Sequence, residues 1–218
     1  MTTVETHPAT AGFTRYAMIV CAVAAPLALA LSLLLAPNDT TAEGEAYIRS
    51  FIADVDAYPL WSWVSVLSFA AVIPMILGVS KVARSGRPVL GLVGMILAFI
   101  LALPVGLNTD DVIYAAHKIG LDVPTIDRLV TEMNEGLPTS ALGFSFFASL
   151  LGFVLLGIAA LRSAAPKWAA IAMIVAPFLV PVAWIAQLGN LAAGTAWLVF
   201  AAAAGGITLA LPAAPHRA

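Results

Sequence analysis

Apolar residues along this chain gather into six long runs, at about 16–36, 61–80, 88–107, 139–161, 167–187 and 190–211. A bilayer's hydrocarbon core, about 30 Å thick, takes roughly 20 residues of helix. Each run meets that length, so the pattern predicts six membrane-spanning helices. The first run follows Arg15 and invites comparison with a secretory leader. It is longer than an ordinary leader core, and Leu34, Ala36 and Pro37 make a poor cleavage site, so it reads as a retained span.

Between the runs the rhythm changes to that of amphipathic helices. In "TTAEGEAYIRSFIADVDAY" (40–58), Thr40 and Glu43 have capping-box spacing. Tyr47, Ile48, Phe51, Ile52 and Val55 then form one apolar stripe, with Glu45 and Arg49 as an i,i+4 pair. In "DVPTIDRLVTEMNEG" (122–136), Asp122 is the expected N-cap and Pro124 fits the first turn. Ile126, Leu129, Val130 and Met133 make its stripe, Arg128 and Glu132 its ion pair, and Gly136 its stop. These segments are too short and too charged to cross a bilayer, which predicts helices lying over the outer ends of the spans.

The outer-helix-plus-hairpin pattern occurs twice in the same direction. "MILGVSKVARSGRPVLGLVGMILA" (75–98) aligns with "VLLGIAALRSAAPKWAAIAMIVA" (154–176), Gly78 over Gly157. Upstream, Ile48, Phe51, Ile52 and Val55 fall over Ile126, Leu129, Val130 and Met133. A parallel internal hairpin repeat is the expectation, in contrast to the inverted repeats of many secondary transporters.

Composition agrees with the membrane reading: 61% of the 218 residues are hydrophobic and 10% charged, against about 25% charged in soluble domains. The net charge of −2 argues against a nucleic-acid partner. Its distribution predicts orientation. With six alternating spans, Arg15, Lys81, Arg84, Arg87, Arg162, Lys167 and Arg217 fall on one side with Glu5, and the other side holds Arg49, Lys118 and Arg128 with the remaining acids. The positive-inside bias then puts both termini in the cytoplasm. Tyr58, Trp61 and Trp184 are expected as outer interfacial anchors, Tyr16 and Trp168 as inner ones. The single cysteine, Cys21, allows no intrachain disulfide and reads as a packed apolar residue.

Candidate chemistry concentrates in "LNTDDVIYAAHKIG" (107–120). On a helix Asp110, Tyr114 and His117 share a face, a grouping that could contact a ligand or move a proton. Every residue also has a role in a short helix: Thr109 as N-cap, Asp110 and Asp111 at the positive end of the dipole, Lys118 at the negative end, Gly120 as terminator. That second account is preferred, with Asp110, Tyr114 and His117 kept as candidate ligand contacts and no catalytic or metal-ligating residue assigned. Asp54 and Asp56 lack the rest of a calcium loop. No ionisable residue lies within the six runs, which disfavours an ion-coupled carrier. Ser62, Ser65, Ser68, Ser145, Ser149, Gln187, Asn190 and Thr195 are expected to bond across helices or to the preceding turn.

On "PNDTTAEGEAYIRSF" after the first span and on its hairpin pattern, the chain resembles the small six-span bacterial membrane proteins grouped as domains of unknown function. The resemblance implies no activity. The expectation is an all-α membrane protein: a flexible cytoplasmic N-terminus (1–15), one six-span domain (16–211) carrying two or three outer amphipathic helices, and a cytoplasmic tail (212–218). It would be a multi-pass plasma-membrane protein without cofactor, non-enzymatic, binding an apolar or lipid-like ligand or accompanying another membrane protein or copies of itself. The alternatives are a small transporter or channel subunit, and an outer-face enzyme using Asp110, Tyr114 and His117.

Overall fold

A computed structural model of the chain describes residues 8–36, 38–102 and 109–213, and among these it is helical with no strand. The helices are α1 (Pro8–Leu34), α2 (Gly44–Ala53), α3 (Tyr58–Gly86), α4 (Pro88–Ala98), α5 (Thr109–Lys118), α6 (Val123–Glu135), α7 (Leu137–Ala160), α8 (Lys167–Ile185) and α9 (Gly189–Thr208). A 3-10 turn, Phe99–Ala102, prolongs α4. Among the described residues four stretches are long and apolar enough to cross a membrane: Gly12–Leu34, Val55–Gly86, Lys167–Ile185 and Gly189–Thr208. Two shorter apolar helices, Pro88–Ala102 and Ser145–Ala160, stand where the other two spans are expected. The rest of the third run, including Pro104, lies outside the described residues.

The six apolar helices pack in a closed ring, α1 on α3, α3 on α4, α4 on α7, α7 on α8, α8 on α9 and α9 back on α1. α3 also touches α7 and α9 across the ring. Many interior positions are small: Ala22, Ala25, Ala98, Ala159, Ala170, Ala203 and Ala204 are buried, between larger fillers such as Met75, Ile76, Leu156 and Met173, and Phe153 and Phe200 meet edge-on at 4.7 Å between centroids. Larger apolar side chains, among them Leu60, Trp63, Leu67, Val89 and Phe178, face outward. Small residues at helix contacts and large apolar ones on the outer surface suit a bundle whose solvent is hydrocarbon, where close backbone approach holds helices together. Gly94 and Gly152 mark the closest approach: a methyl at Gly152 would overlap the Ala98 amide nitrogen and come within 2.8 Å of the Gly94 carbonyl oxygen. Ser68 ties α3 to α1, its hydroxyl donating to the Ala25 carbonyl at 2.8 Å.

Both ends of the chain's helical part meet at one end of the bundle, where Arg15 Nε donates to the Leu211 carbonyl at 3.0 Å. The two basic turns lie there side by side, since Gly86 packs against the backbone at Ala159 and Ser163. The other end is covered by α2, α5 and α6. These have an apolar core of their own, Ile48, Phe51, Tyr58, Ile113, Ala116 and Ile126, separate from that of the bundle.

Several boundaries differ from expectation. α1 begins at Pro8, so residues 8–15 of the supposed flexible N-terminus are helical. α3 runs through Lys81 and Arg84 to Gly86, and the reversal into α4 takes the single residue Arg87. Pro88, which needs no helical donor at the first turn, lets α4 start at once. Tyr58 is buried in the cap, not an interfacial anchor. The aligned glycines of the two hairpins do not face equivalent neighbours, for Gly78 lies against Met18 and Thr208 and Gly157 against Ala170 and Ile174.

Candidate functional site: the tyrosine–carboxylate cap

The cap forms because three weak helices share one core. On α2, Ile48 and Phe51 turn inward, with Tyr47 and Ile52 packed beside them. On α6, Ile126 is fully buried and Val130 partly, whereas Leu129, expected in the same stripe, is exposed. α5 contributes Ile113 and Ala116. Caps match the sequence at α6, where the Asp122 carboxylate accepts from the Thr125 amide at 3.2 Å. The turn after α5 carries Gly120, whose φ of +86° makes it the left-handed terminator, closed by Gly120 N to His117 O and Leu121 N to Ala116 O.

Two tyrosines from elsewhere in the chain converge on the first turn of α5. Tyr47, on α2, donates its hydroxyl to Asp110 Oδ1 at 2.5 Å. Tyr58, opening α3, donates to Asp111 Oδ1. The Tyr114 ring lies 5.0 Å from that of Tyr58, with the Lys118 ammonium 5.4 Å from its centroid. Lys118 also pairs with Asp56 at 3.6 Å. Burial raises the Asp110 carboxyl above its usual range, the Tyr47 hydrogen bond opposes this, and the Asp111 charge adds to it. Burial and the neighbouring Asp110 push the Tyr47 phenol up as well, so it remains a donor. Asp122, exposed and accepting from Thr125, is lowered.

The three residues singled out on α5 therefore part company. Asp110 is engaged by Tyr47, and Tyr114 stacks into the aromatic row. His117 is two turns from Asp110, about 10 Å along the axis, and its side chain forms no hydrogen bond or ion pair among the described residues. Thr109 opens α5 as its first helical residue, and the residue before it lies outside the described part. No cluster of three or more His, Cys, Asp or Glu among the described residues could hold a metal. What the group does chemically is fasten α2 and α3 to α5.

A second fastening rests on Asn190, for which hydrogen bonding was expected but not these partners. Asn190, at the start of α9, accepts through Oδ1 from the Thr40 amide at 2.9 Å and the Thr40 hydroxyl at 2.5 Å, and donates to the Asn38 carbonyl at 2.7 Å. Beside it the Gly189 amide donates to Thr41 Oγ1 at 3.1 Å, and Thr41 donates to Asp39 Oδ1. Thr40 thus binds α9 and does not cap α2, whose first residue, Gly44, has φ +60°. The Glu45–Arg49 pair forms at 2.7 Å; an Arg128–Glu132 pair does not form. No family model matches the chain, nor does any curated protein or solved structure.

Proposed function

We propose that the chain is a six-span integral membrane protein of the bacterial plasma membrane, acting by binding an apolar or lipid-like ligand and not by catalysis. Both termini lie in the cytoplasm on this reading and the three-helix cap lies outside. The charge map supports it, because Arg15, Lys81, Arg84, Arg87, Arg162 and Lys167 belong to the end opposite the acidic cap. α7 has 24 residues, about 36 Å of helix, which suits a fifth crossing, and α4 with its 3-10 extension supplies most of a sixth. A duplicated unit, α2–α3–α4 and α6–α7–α8, is part of the same reading; burial of both Ile48 and Ile126 in the cap favours it.

One observation carries the non-catalytic choice. Among the described residues the carboxylates of the candidate group are taken up within the fold, Asp110 and Asp111 each accepting a tyrosine hydroxyl, and His117 stands two turns away from Asp110. The bundle interior, filled by Phe153, Leu156, Met173 and Phe200, favours binding on the helical surface over passage through the ring. Lipid analysis of the purified full chain tests this. A phospholipid retained at constant stoichiometry through purification is expected, together with potassium and proton flux in liposomes equal to the empty control. Flux above that control would turn the reading toward a transporter or channel subunit.

A further inference from the structure

At the basic end α1, α3 and α4 part to leave a groove of about 560 Å3. Its existence depends on α3 staying helical to Gly86. Leu77, Lys81 and Arg84 then recur at i, i+4 and i+7 and line one side together. Gly91 of α4 lets that helix approach α3 closely at Arg84: a methyl there would come within 2.8 Å of Arg84 Cγ and 2.9 Å of its amide nitrogen. The remaining apolar walls include Met18 from α1 and Met95 from α4. The groove is thus cationic along one stretch and apolar along another.

Its hydrogen-bond donors are charged. The Ser80 and Ser85 hydroxyls already donate to the Leu77 and Val82 carbonyls, at 3.0 and 2.7 Å. Lys81 and Arg84 are exposed, and neither pairs with a carboxylate among the described residues. Among the described residues this end offers none, since no Asp or Glu occurs between Asp56 and Asp110 or after Glu135, and Glu5 lies outside the described part. Two uncompensated cations beside methionine and leucine walls, opening onto an apolar helix surface, match a ligand that is anionic at one end and hydrocarbon at the other.

We propose that this groove binds one anionic phospholipid, its phosphate between Lys81 and Arg84 and its acyl chains along Met18, Leu77 and Met95. The inference rests on the lipid-binding reading above and specifies its headgroup and site. Native mass spectrometry of the full chain in detergent tests it, using phosphatidylglycerol, phosphatidylcholine with the same chains, and inorganic phosphate as competitor. One phosphatidylglycerol per chain is expected, held about thirtyfold more tightly than phosphatidylcholine. Lys81→Gln and Arg84→Gln should each weaken it about fivefold. Lys81→Arg should retain binding, as should Arg162→Gln, which removes the same charge from the neighbouring turn. Unchanged helix content by circular dichroism separates these effects from misfolding.

Equal loss in Arg162→Gln would overturn the site in favour of diffuse surface charge, and displacement by inorganic phosphate alone would overturn the lipid as its occupant. Equal retention of both phospholipids, unaffected by Lys81→Gln or Arg84→Gln, would remove this inference and leave the broader reading standing. Retention of neither would remove both.

Discussion

Tyr47 and Asp110 lie 63 residues apart in the chain and 2.5 Å apart in space, the phenol donating to a half-buried carboxyl. This bond joins α2 to α5. Tyr47→Phe keeps the ring and removes the donor, and a hydrogen bond to a charged acceptor contributes about 1.5–3 kcal/mol. The cap should open more readily by that amount, read as faster amide hydrogen exchange in α2 and α5 with the bundle helices unchanged. Uniform exchange across the protein would contradict a cap that is stabilised separately.

Asp110 and Asp122 should give the cap opposite responses to acid. The raised Asp110 carboxyl binds its proton more readily folded than unfolded. Its contribution is fully present below the ordinary carboxylate range, near pH 3.9, and is lost as pH rises through its folded value. Asp122 is lowered, so its contribution is present above the ordinary range and lost as pH falls through its folded value. Mild acidification should first slow hydrogen exchange in the cap, and stronger acid should reverse the gain. Asp110→Asn, which keeps an acceptor for Tyr47, should remove the first phase alone.

Asn190→Ala should release the 36–43 segment from α9. Two donors on Thr40 and the Asn38 carbonyl lose their partner together, at a cost of about 2 kcal/mol. Limited proteolysis should then cut in this segment before any bundle helix. Cleavage no faster than in the unaltered protein would show that the latch holds nothing.

Gln187 adopts φ +48° in the turn after α8, a conformation that favours glycine. Gln187→Gly should relieve the strain, less the entropy that glycine adds to the unfolded chain, for a net gain of about 0.5–1 kcal/mol. Thermal melting in detergent should rise slightly for Gln187→Gly and fall for Gln187→Val. Contrasting behaviour is expected at Gly152, where even Gly152→Ala should cost about 2–3 kcal/mol because the obstacle is backbone.

The sequence made local features readable and pairings unreadable. Asp122, Ile126 and Gly136 mark α6 because capping and helical periodicity act over a few residues. The long apolar runs are equally plain, since each is continuous over about 20 residues, the length of helix a bilayer core takes. Lys81 and Arg84 suggested a turn because charge usually ends a span, yet Pro88 and the one-residue reversal at Arg87 let the helix carry them. Tyr47 looked like one more apolar stripe residue, and nothing in its surroundings names Asp110. Likewise the capping-box spacing of Thr40 and Glu43 was real, but Asn190, on a helix 150 positions away, offered the threonine more partners.

The contact of Arg15 with the Leu211 carbonyl, in a ring where the first helix packs on the last, gives the bundle no natural seam. Any of its six neighbouring pairs could in principle be the one left unjoined. A circularly permuted chain, cut in a loop at the capped end and spliced through a linker joining the old termini, should assemble the same ring from a different first residue.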